Sequence, residues 1–348
     1  MTVQENVPLA PLTTLGVGGP ARYFAEVSGE DKVREAVAFV RQKSLPLFVL
    51  GGGSNLLVSD AGWPGLVLKI SVEGVRRSED GKGTLFEVGA GVEWDAFVSL
   101  AVFDHCAGIE CLSGIPGSVG GTPVQNVGAY GQDVSETIES LQAFDLHEER
   151  IVVIPKEACG FRYRASIFNT TDKGRYIILR VTFRLASGAV PALRYADLQK
   201  RFAASVQAPS LAQVREAVLQ IRRSKGMVIA PGEDDCRSAG SFFKNPVLSE
   251  VQFSELVVRA REKGLTVPSY PALDAQRKVS AAWLVERAGF HKGFTLGAAG
   301  ISKKHALALI NTGGARAAEI MRLKDEIQHA VLEAWGIALE AEPVMVGF

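Results

Sequence analysis

The chain has 348 residues, 47% of them hydrophobic and 22% charged, with no long polar or single-sign tract, and that length implies two or three lobes rather than one core. Lys and Arg number 38, as do Asp and Glu, so the net charge is zero, which removes the electrostatic case for nucleic acid or an anionic membrane surface as partner. The first residues lack the basic and apolar regions of a signal peptide, and runs such as LPLFVL (45–50) fall far short of the roughly 20 residues of a membrane span, so a cytoplasmic protein is expected.

DKVREAVAFVRQKS (31–44) sets Val33, Val37 and Val40 on one face, the period of an amphipathic helix. LPLFVLGGGSNLLV then reads as strand, glycine turn, strand. GLVLKI (65–70), LFEVGAG (85–91), RIVVIP (150–155) and RYIILRVTFRL (175–185) have the β-branched and aromatic content of strands, and WDAFVSLAVFDHCAG (94–108) returns to helical spacing. These elements make an α/β or α+β unit of roughly 180 residues. LAQVREAVLQIRRSKG (211–226) is a helix whose basic end complements its dipole. The turn-rich MVIAPGEDDCRSAG (227–240) suits a boundary. VSAAWLVERAG (279–289) and AAEIMRLKDEIQHAVLEAWG (317–336) are further helices, and LEAEPVMVGF (339–348) is a short strand-like tail. No internal repeat or low-complexity segment interrupts the order.

Two glycine segments carry chemistry. Gly51-Gly52-Gly53-Ser54-Asn55 ends an apolar strand, where glycines let the chain turn sharply and offer N–H groups to an anion; an ordinary hairpin is the alternative. No Lys-Ser/Thr follows, so it is not a Walker loop, and neither GAGVEW (89–94) nor GVGGPA (16–21) completes a dinucleotide fingerprint. GIPGSVGGTPVQNVGAYG (114–131) holds six glycines, two prolines and almost no charge. It suits equally a wall against a large flat ligand and a buried connector. The four cysteines, Cys106, Cys111, Cys159 and Cys236, have neither CxxC nor Cys/His spacing, so buried, inert thiols and no metal site are expected. In AGSFFKNP (239–246) a single hydroxyl, Ser241, stands between Gly240 and two phenylalanines.

These segments, with LTTLGVGGPARYF (12–24), CGFRYRASIF (159–168), VSAAWLVERAGF (279–290) and LEAEPVMVG (339–347), resemble the bacterial UDP-N-acetylenolpyruvoylglucosamine reductases (MurB). The resemblance runs from residue 12 to residue 347. It implies an α+β (α/β) fold: a two-lobed FAD-binding domain of the PCMH/VAO type over 1–210, with lobes of about 1–70 and 71–210. A smaller α+β substrate-binding C-terminal domain would cover 211–336, and the tail 337–348 is a candidate to return to the first lobe. The implied activity is NADPH-dependent reduction of UDP-N-acetylglucosamine enolpyruvate to UDP-N-acetylmuramate in peptidoglycan synthesis, hence a part in cell wall biogenesis, cell shape and cell division. A monomer acting on a UDP-sugar is expected. FAD would be held by Gly51, Gly52, Gly53, Ser54 and Asn55, and by Ile115, Pro116, Gly117, Ser118, Gly120, Gly121, Asn126, Gly128, Ala129 and Tyr130. Some flavoproteins of this fold tether FAD to His or Cys. Neither glycine segment contains a histidine, so non-covalent FAD is expected, with Cys111 the one nearby thiol.

Hydride arriving at an enolpyruvyl CH2 carbon builds negative charge on its neighbour, which calls for a cation and a proton donor. The resemblance assigns charge stabilisation to Arg164, whose forked guanidinium suits a carboxylate or enolate. Proton donation falls to Ser241, with Gly240 letting the chain approach the flavin and the phenylalanines fixing the turn. Glu342 is the third catalytic residue; Glu340 is its rival, and aligning the closing Val-Gly selects Glu342. Taken singly, an Arg is more often in a salt bridge and a buried Ser bonded to backbone. If FRYR is a strand, Arg162 faces away from Arg164, and it is given no role. Lys225 and Asn245 are expected at the substrate or nicotinamide nucleotide, and Tyr195 on a loop that closes over the substrate. His305, with Lys303 and Lys304, reads equally as a phosphate contact and as a solvated face. Arg223 and Lys244 are unassigned. The competing readings are an oxidase or dehydrogenase of the same fold and a non-catalytic nucleotide-binding module.

Overall fold

Val33, Ala36, Val37 and Val40 all lie buried along the helix Glu30–Gln42, as their spacing requires, in the computed structural model, which describes residues 1–204, 207–230, 232–272 and 275–348. The chain divides into two compact units. The first is built from Met1–Val7, Pro20–Gly53 and Trp63–Val228, the second from Pro8–Gly19, Ser54–Gly62 and Ile229–Phe348.

In the first unit, Pro20–Val27 and Leu47–Leu50 flank Trp63–Ile70 in parallel. An antiparallel sheet runs Arg150–Pro155, Ile138–Asp145, Tyr176–Ser187, Thr84–Gly89, Val75–Glu79. Its register aligns Leu141, Val181 and Val88, all buried, and Phe86, Phe97, Trp94 and Phe183 pack into one aromatic cluster. The helix begun at Trp94 stops at Phe103 rather than 108. His105 takes φ +56°, and Cys106–Ala107 turn away to pair with Ala186 and Ser187.

The helix Leu211–Ser224 also belongs to the first unit, so the boundary falls at Val228/Ile229 and not at 210/211. Ser210 and Gln213 close a reciprocal capping box at its start. Val214, Ala217 and Val218 pack with Cys111 and Leu198, and Arg215 holds Asp95 at 2.6 and 2.8 Å.

In the second unit, the helix Ala317–Trp335 buries a stripe from Ala317 through Ile320, Leu323, Ile327 and Val331 to Trp335. The carboxylate of Asp60 caps it, accepting from the N–H groups of Ala317 and Ala318 at 2.9 and 3.1 Å. The predicted helix 279–289 is shorter: Arg277–Val279 is a strand, Ser280 caps, and the helix is Ala281–Arg287. In the tail, Val344–Val346 pairs in parallel with Leu56–Val58. Both strands lie within the second unit.

Candidate active site

Gly51 and Gly52 are glycines for steric reasons. A Cβ on Gly52 would stand 2.5 Å from Gly117 Cα, and one on Gly51 would stand 2.9 Å from Ser118 Oγ. Within the first unit, Gly51 and Gly52 of one predicted cofactor segment therefore lie against Gly117 and Ser118 of the other. Val119 N–H bonds Val92 O and Gly120 N–H bonds Ala90 O, both at 2.9 Å, pinning 117–121 to the sheet end. Ser118 Oγ is buried with no hydrogen-bond partner among the described residues, an arrangement a bound polar ligand would relieve. Beside it, a Cβ on Gly121 would meet no atom within 4 Å. Ile115, Pro116 and Ala129 are half-buried. A glycine cradle with an orphaned hydroxyl and no acidic side chain among its predicted contacts fits the FAD pyrophosphate.

Cys111 is wholly buried, and burial, aided by Glu110, pushes its thiol up to about 12; burial likewise lifts Cys159 to about 12. Neither is a nucleophile in this state. Cys236 is only half-buried, a departure from the expectation of four buried thiols. No cluster of three or more His, Cys, Asp or Glu side chains that could hold a metal occurs among the described residues. No described helix is long and apolar enough to cross a membrane.

CGFRYRASIF is a tight turn and not a strand. Arg162 and Ala165 exchange backbone bonds of 2.9 and 3.2 Å, which puts Tyr163 and Arg164 at the tip. Alternation along a strand therefore does not separate Arg162 from Arg164. Arg164 adopts φ +54°, as Asn126 (+46°) and Tyr130 (+50°) also adopt positive values. Non-glycine residues seldom do so, and they concentrate where a site demands it. Arg164 Nη2 donates to Gly128 O at 2.7 Å. Asn126 Nδ2 donates to Arg162 O at 3.0 Å, and its Oδ1 accepts from Ser135 N–H at 3.1 Å. Asn126 thus braces the turn that presents Arg164.

Gly128 and Ala129 pair with Gln132 and Asp133 to form a small hairpin with Tyr130 at its tip. The Tyr130 ring stands edge-on to Tyr195, centroids 5.2 Å apart, and Lys225 Nζ lies 5.7 Å from the same ring. Tyr130, predicted among the cofactor contacts, therefore meets two predicted substrate contacts. Sequence reasoning passed over Asp95, which joins Arg215 to the Gly114 N–H (2.6 Å). It also missed buried Glu110, which accepts from Gln132 Nε2 at 3.0 Å and steadies the hairpin. An isolated acid beside a glycine segment was the only available signal for either.

In the second unit, the segment that carries Ser241 is held from both sides. Phe242 N–H donates to Leu307 O (2.8 Å), and Phe242 O accepts from Glu342 N–H (2.9 Å). Phe242 and Phe243 anchor it in the core at 0% and 1% exposure. Gly240 has φ +76°, and a Cβ there would meet no atom within 4 Å, so within the chain its glycine answers a backbone angle. Glu342 is bound to the residue after Ser241, and Asn55 Nδ2 donates to its carbonyl at 3.3 Å. Ser54 offers its carbonyl to Thr14 Oγ1 at 3.3 Å. Glu340 is turned outward to Lys244. Asn245 Oδ1 accepts from Ala281 N–H at 2.9 Å, and His305 Nδ1 accepts from Leu307 N–H at 3.1 Å. Lys304 pairs with Glu233 and Arg223 with Glu216, ordinary surface contacts.

A family model described as UDP-N-acetylenolpyruvoylglucosamine reductase, C-terminal domain, matches residues 231–346, and one described as FAD binding domain matches residues 21–154. The UDP-N-acetylenolpyruvoylglucosamine reductase of Thermobifida fusca is 47% identical over 350 residues, covering 99% of this chain and 98% of that protein. That of Streptomyces avermitilis is 43% identical, covering 99% and 96%. The crystal structure of the reductase from Thermus caldophilus matches with a TM-score of 0.67 at 28% identity, covering 99% of each chain. The chain belongs to the UDP-N-acetylenolpyruvoylglucosamine reductases, also termed UDP-N-acetylmuramate dehydrogenases, and is an FAD-binding oxidoreductase of that family.

Proposed function

We propose that the protein reduces UDP-N-acetylglucosamine enolpyruvate to UDP-N-acetylmuramate at the expense of NADPH, with Ser241, Arg164 and Glu342 as its catalytic residues. Gly51, Gly52, Gly117 and Ser118 are among the residues that would hold FAD, without a covalent bond, and the bound flavin would supply hydride taken from NADPH. The reduction adds that hydride to the enolpyruvyl CH2 carbon and one proton to the carbon beside it. The Ser241 hydroxyl delivers the proton and is reprotonated from solvent. The Arg164 guanidinium balances the negative charge that builds toward the substrate carboxylate. Glu342 takes part with Arg164 in stabilising the enolate-like intermediate. Tyr195, Lys225, Asn245 and His305 hold the UDP-sugar. The protein would act as a cytoplasmic monomer in peptidoglycan precursor synthesis, and so in cell wall growth, shape and division.

The observation that carries this reading is the backbone bond from Glu342 to Phe242, next to Ser241. It favours Glu342 over the outward-turned Glu340. The turn that gives Arg164 its positive φ supports the third role. The test is an anaerobic single turnover in D2O. NADPH-reduced enzyme should be reoxidised by the enolpyruvyl substrate, giving a product with a solvent deuteron on the carbon beside the one that accepts hydride. Failure of the substrate to reoxidise it, with rapid reoxidation by air, would replace this reading with that of an oxidase.

A further inference from the structure

Thr14 stands where two segments of the second unit meet. Its Oγ1 donates to Ser238 O at 2.7 Å, and the same hydroxyl lies 3.3 Å from Ser54 O. Thr14 is itself held in place by its neighbours. Leu15 is fully buried, and Asn311 Nδ2 donates to the carbonyls of Leu15 and Gly16 at 3.3 and 3.2 Å. Ser238 is buried, and its Oγ accepts from the Gly240 N–H at 3.2 Å, at the left-handed residue that precedes Ser241. One hydroxyl thus joins Ser54, the serine of the glycine turn, to the approach of Ser241.

A second link closes the frame from the other side. Asn55 Nδ2 donates to Glu342 O at 3.3 Å, and Glu342 N–H donates to Phe242 O at 2.9 Å. Ser54 and Asn55 therefore reach the 238–242 segment on both sides of Ser241, through Thr14 before it and through the Glu342 backbone after it. The link through Thr14 depends on a side-chain hydroxyl, which a valine of the same shape would lack. We infer that Thr14 is a positioning residue, whose hydroxyl sets the Ser241 segment in register with Ser54 and so fixes where the proton donor stands. A displacement of about 1 Å at a reacting group costs on the order of a hundredfold in rate, so the loss of one such bond is measurable. The inference rests on Ser241 being the proton donor, as proposed above.

The test is anaerobic stopped-flow on FAD-loaded wild type, Thr14→Val, Thr14→Ser, Ser241→Ala and the double variant carrying Thr14→Val and Ser241→Ala. NADPH should reduce Thr14→Val within about twofold of the wild-type rate. The enolpyruvyl substrate should reoxidise it about tenfold more slowly, with a larger solvent isotope effect on that step. Thr14→Ser, which keeps the hydroxyl, should restore reoxidation to within about threefold of wild type. In the Ser241→Ala background the valine should cost less than about twofold, because no proton donor is left to place. Unchanged reoxidation in Thr14→Val, equal slowing of reduction and reoxidation, or a tenfold loss that persists in the double variant would overturn the inference. If Thr14→Val does not fold, Ser238→Ala, which removes the bond to the Gly240 N–H, decides by the same rates. Failure of the underlying reading looks different, since Ser241→Ala would then itself be reoxidised at the wild-type rate.

Discussion

Arg164, Asn126 and Tyr130 are three of the eight non-glycine residues with positive φ among the described residues. Each belongs to the predicted site. Such backbone costs of order 1–3 kcal/mol per residue, and the hydrogen bonds of Arg164 to Gly128 and of Asn126 to Arg162 hold it in place. The two acids of the tail are separable by substitution. Glu342→Gln should lower kcat on the order of a hundredfold or more, and Glu340→Gln should change it less than about twofold, since a surface pair such as Glu340–Lys244 contributes little. Equal effects in steady-state assays would remove Glu342 from the reaction. The residue types were legible because their motifs are local. The turn bearing Arg164 was not, because Asn126 braces it from 36 residues away and the sequence FRYR alternates like a strand.

Between elements, two contacts decide whether the first unit holds its cofactor and its sheet. Gly52→Ala would press a methyl to 2.5 Å from Gly117 Cα, an overpacking cost of roughly 1–3 kcal/mol. The purified variant should have lost most of its yellow colour at equal protein concentration, and full flavin content would mean the two segments yield easily. Asp145 ends the strand Ile138–Asp145, is 1% exposed, and is held down at about 2 chiefly by its hydrogen bonds from Arg175. A folded value below the unfolded one stabilises above the ordinary carboxylate range. That stability is lost as pH falls from about 4 towards 2. Asp145→Asn should therefore cost on the order of 2 kcal/mol near neutrality, and the gap from wild type in denaturant melts should close below pH 3. A gap that persists unchanged at pH 2 would rule out the ion pair as its cause. Strands with apolar alternation were read correctly, whereas the ends of helices were set by partners far along the chain, as Asp60 sets the start of Ala317–Trp335.

At the scale of the molecule, segments as short as Pro8–Gly19 and Ser54–Gly62 belong with the C-terminal half. Composition along the chain gives no sign of this, because the crossings fall at glycines and prolines that also mark ordinary turns. The turn-rich 227–240 was a legible boundary, while the assignment of Leu211–Ser224 depended on Asp95, more than a hundred residues earlier. Thiol accessibility offers a global check. Cys106, Cys111 and Cys159 are buried and Cys236 is half-buried, so a thiol reagent should titrate one cysteine in the native protein and four after denaturation. Rapid reaction of more than one would show the first unit to be open.

The central claim is that Ser241 hands a proton to the substrate carbon, and anaerobic stopped-flow at the flavin absorbance band tests it most directly. Ser241→Ala should be reduced by NADPH as fast as wild type, while its reoxidation by UDP-N-acetylglucosamine enolpyruvate should slow on the order of a thousandfold. Reoxidation at the wild-type rate would show that the proton comes from elsewhere.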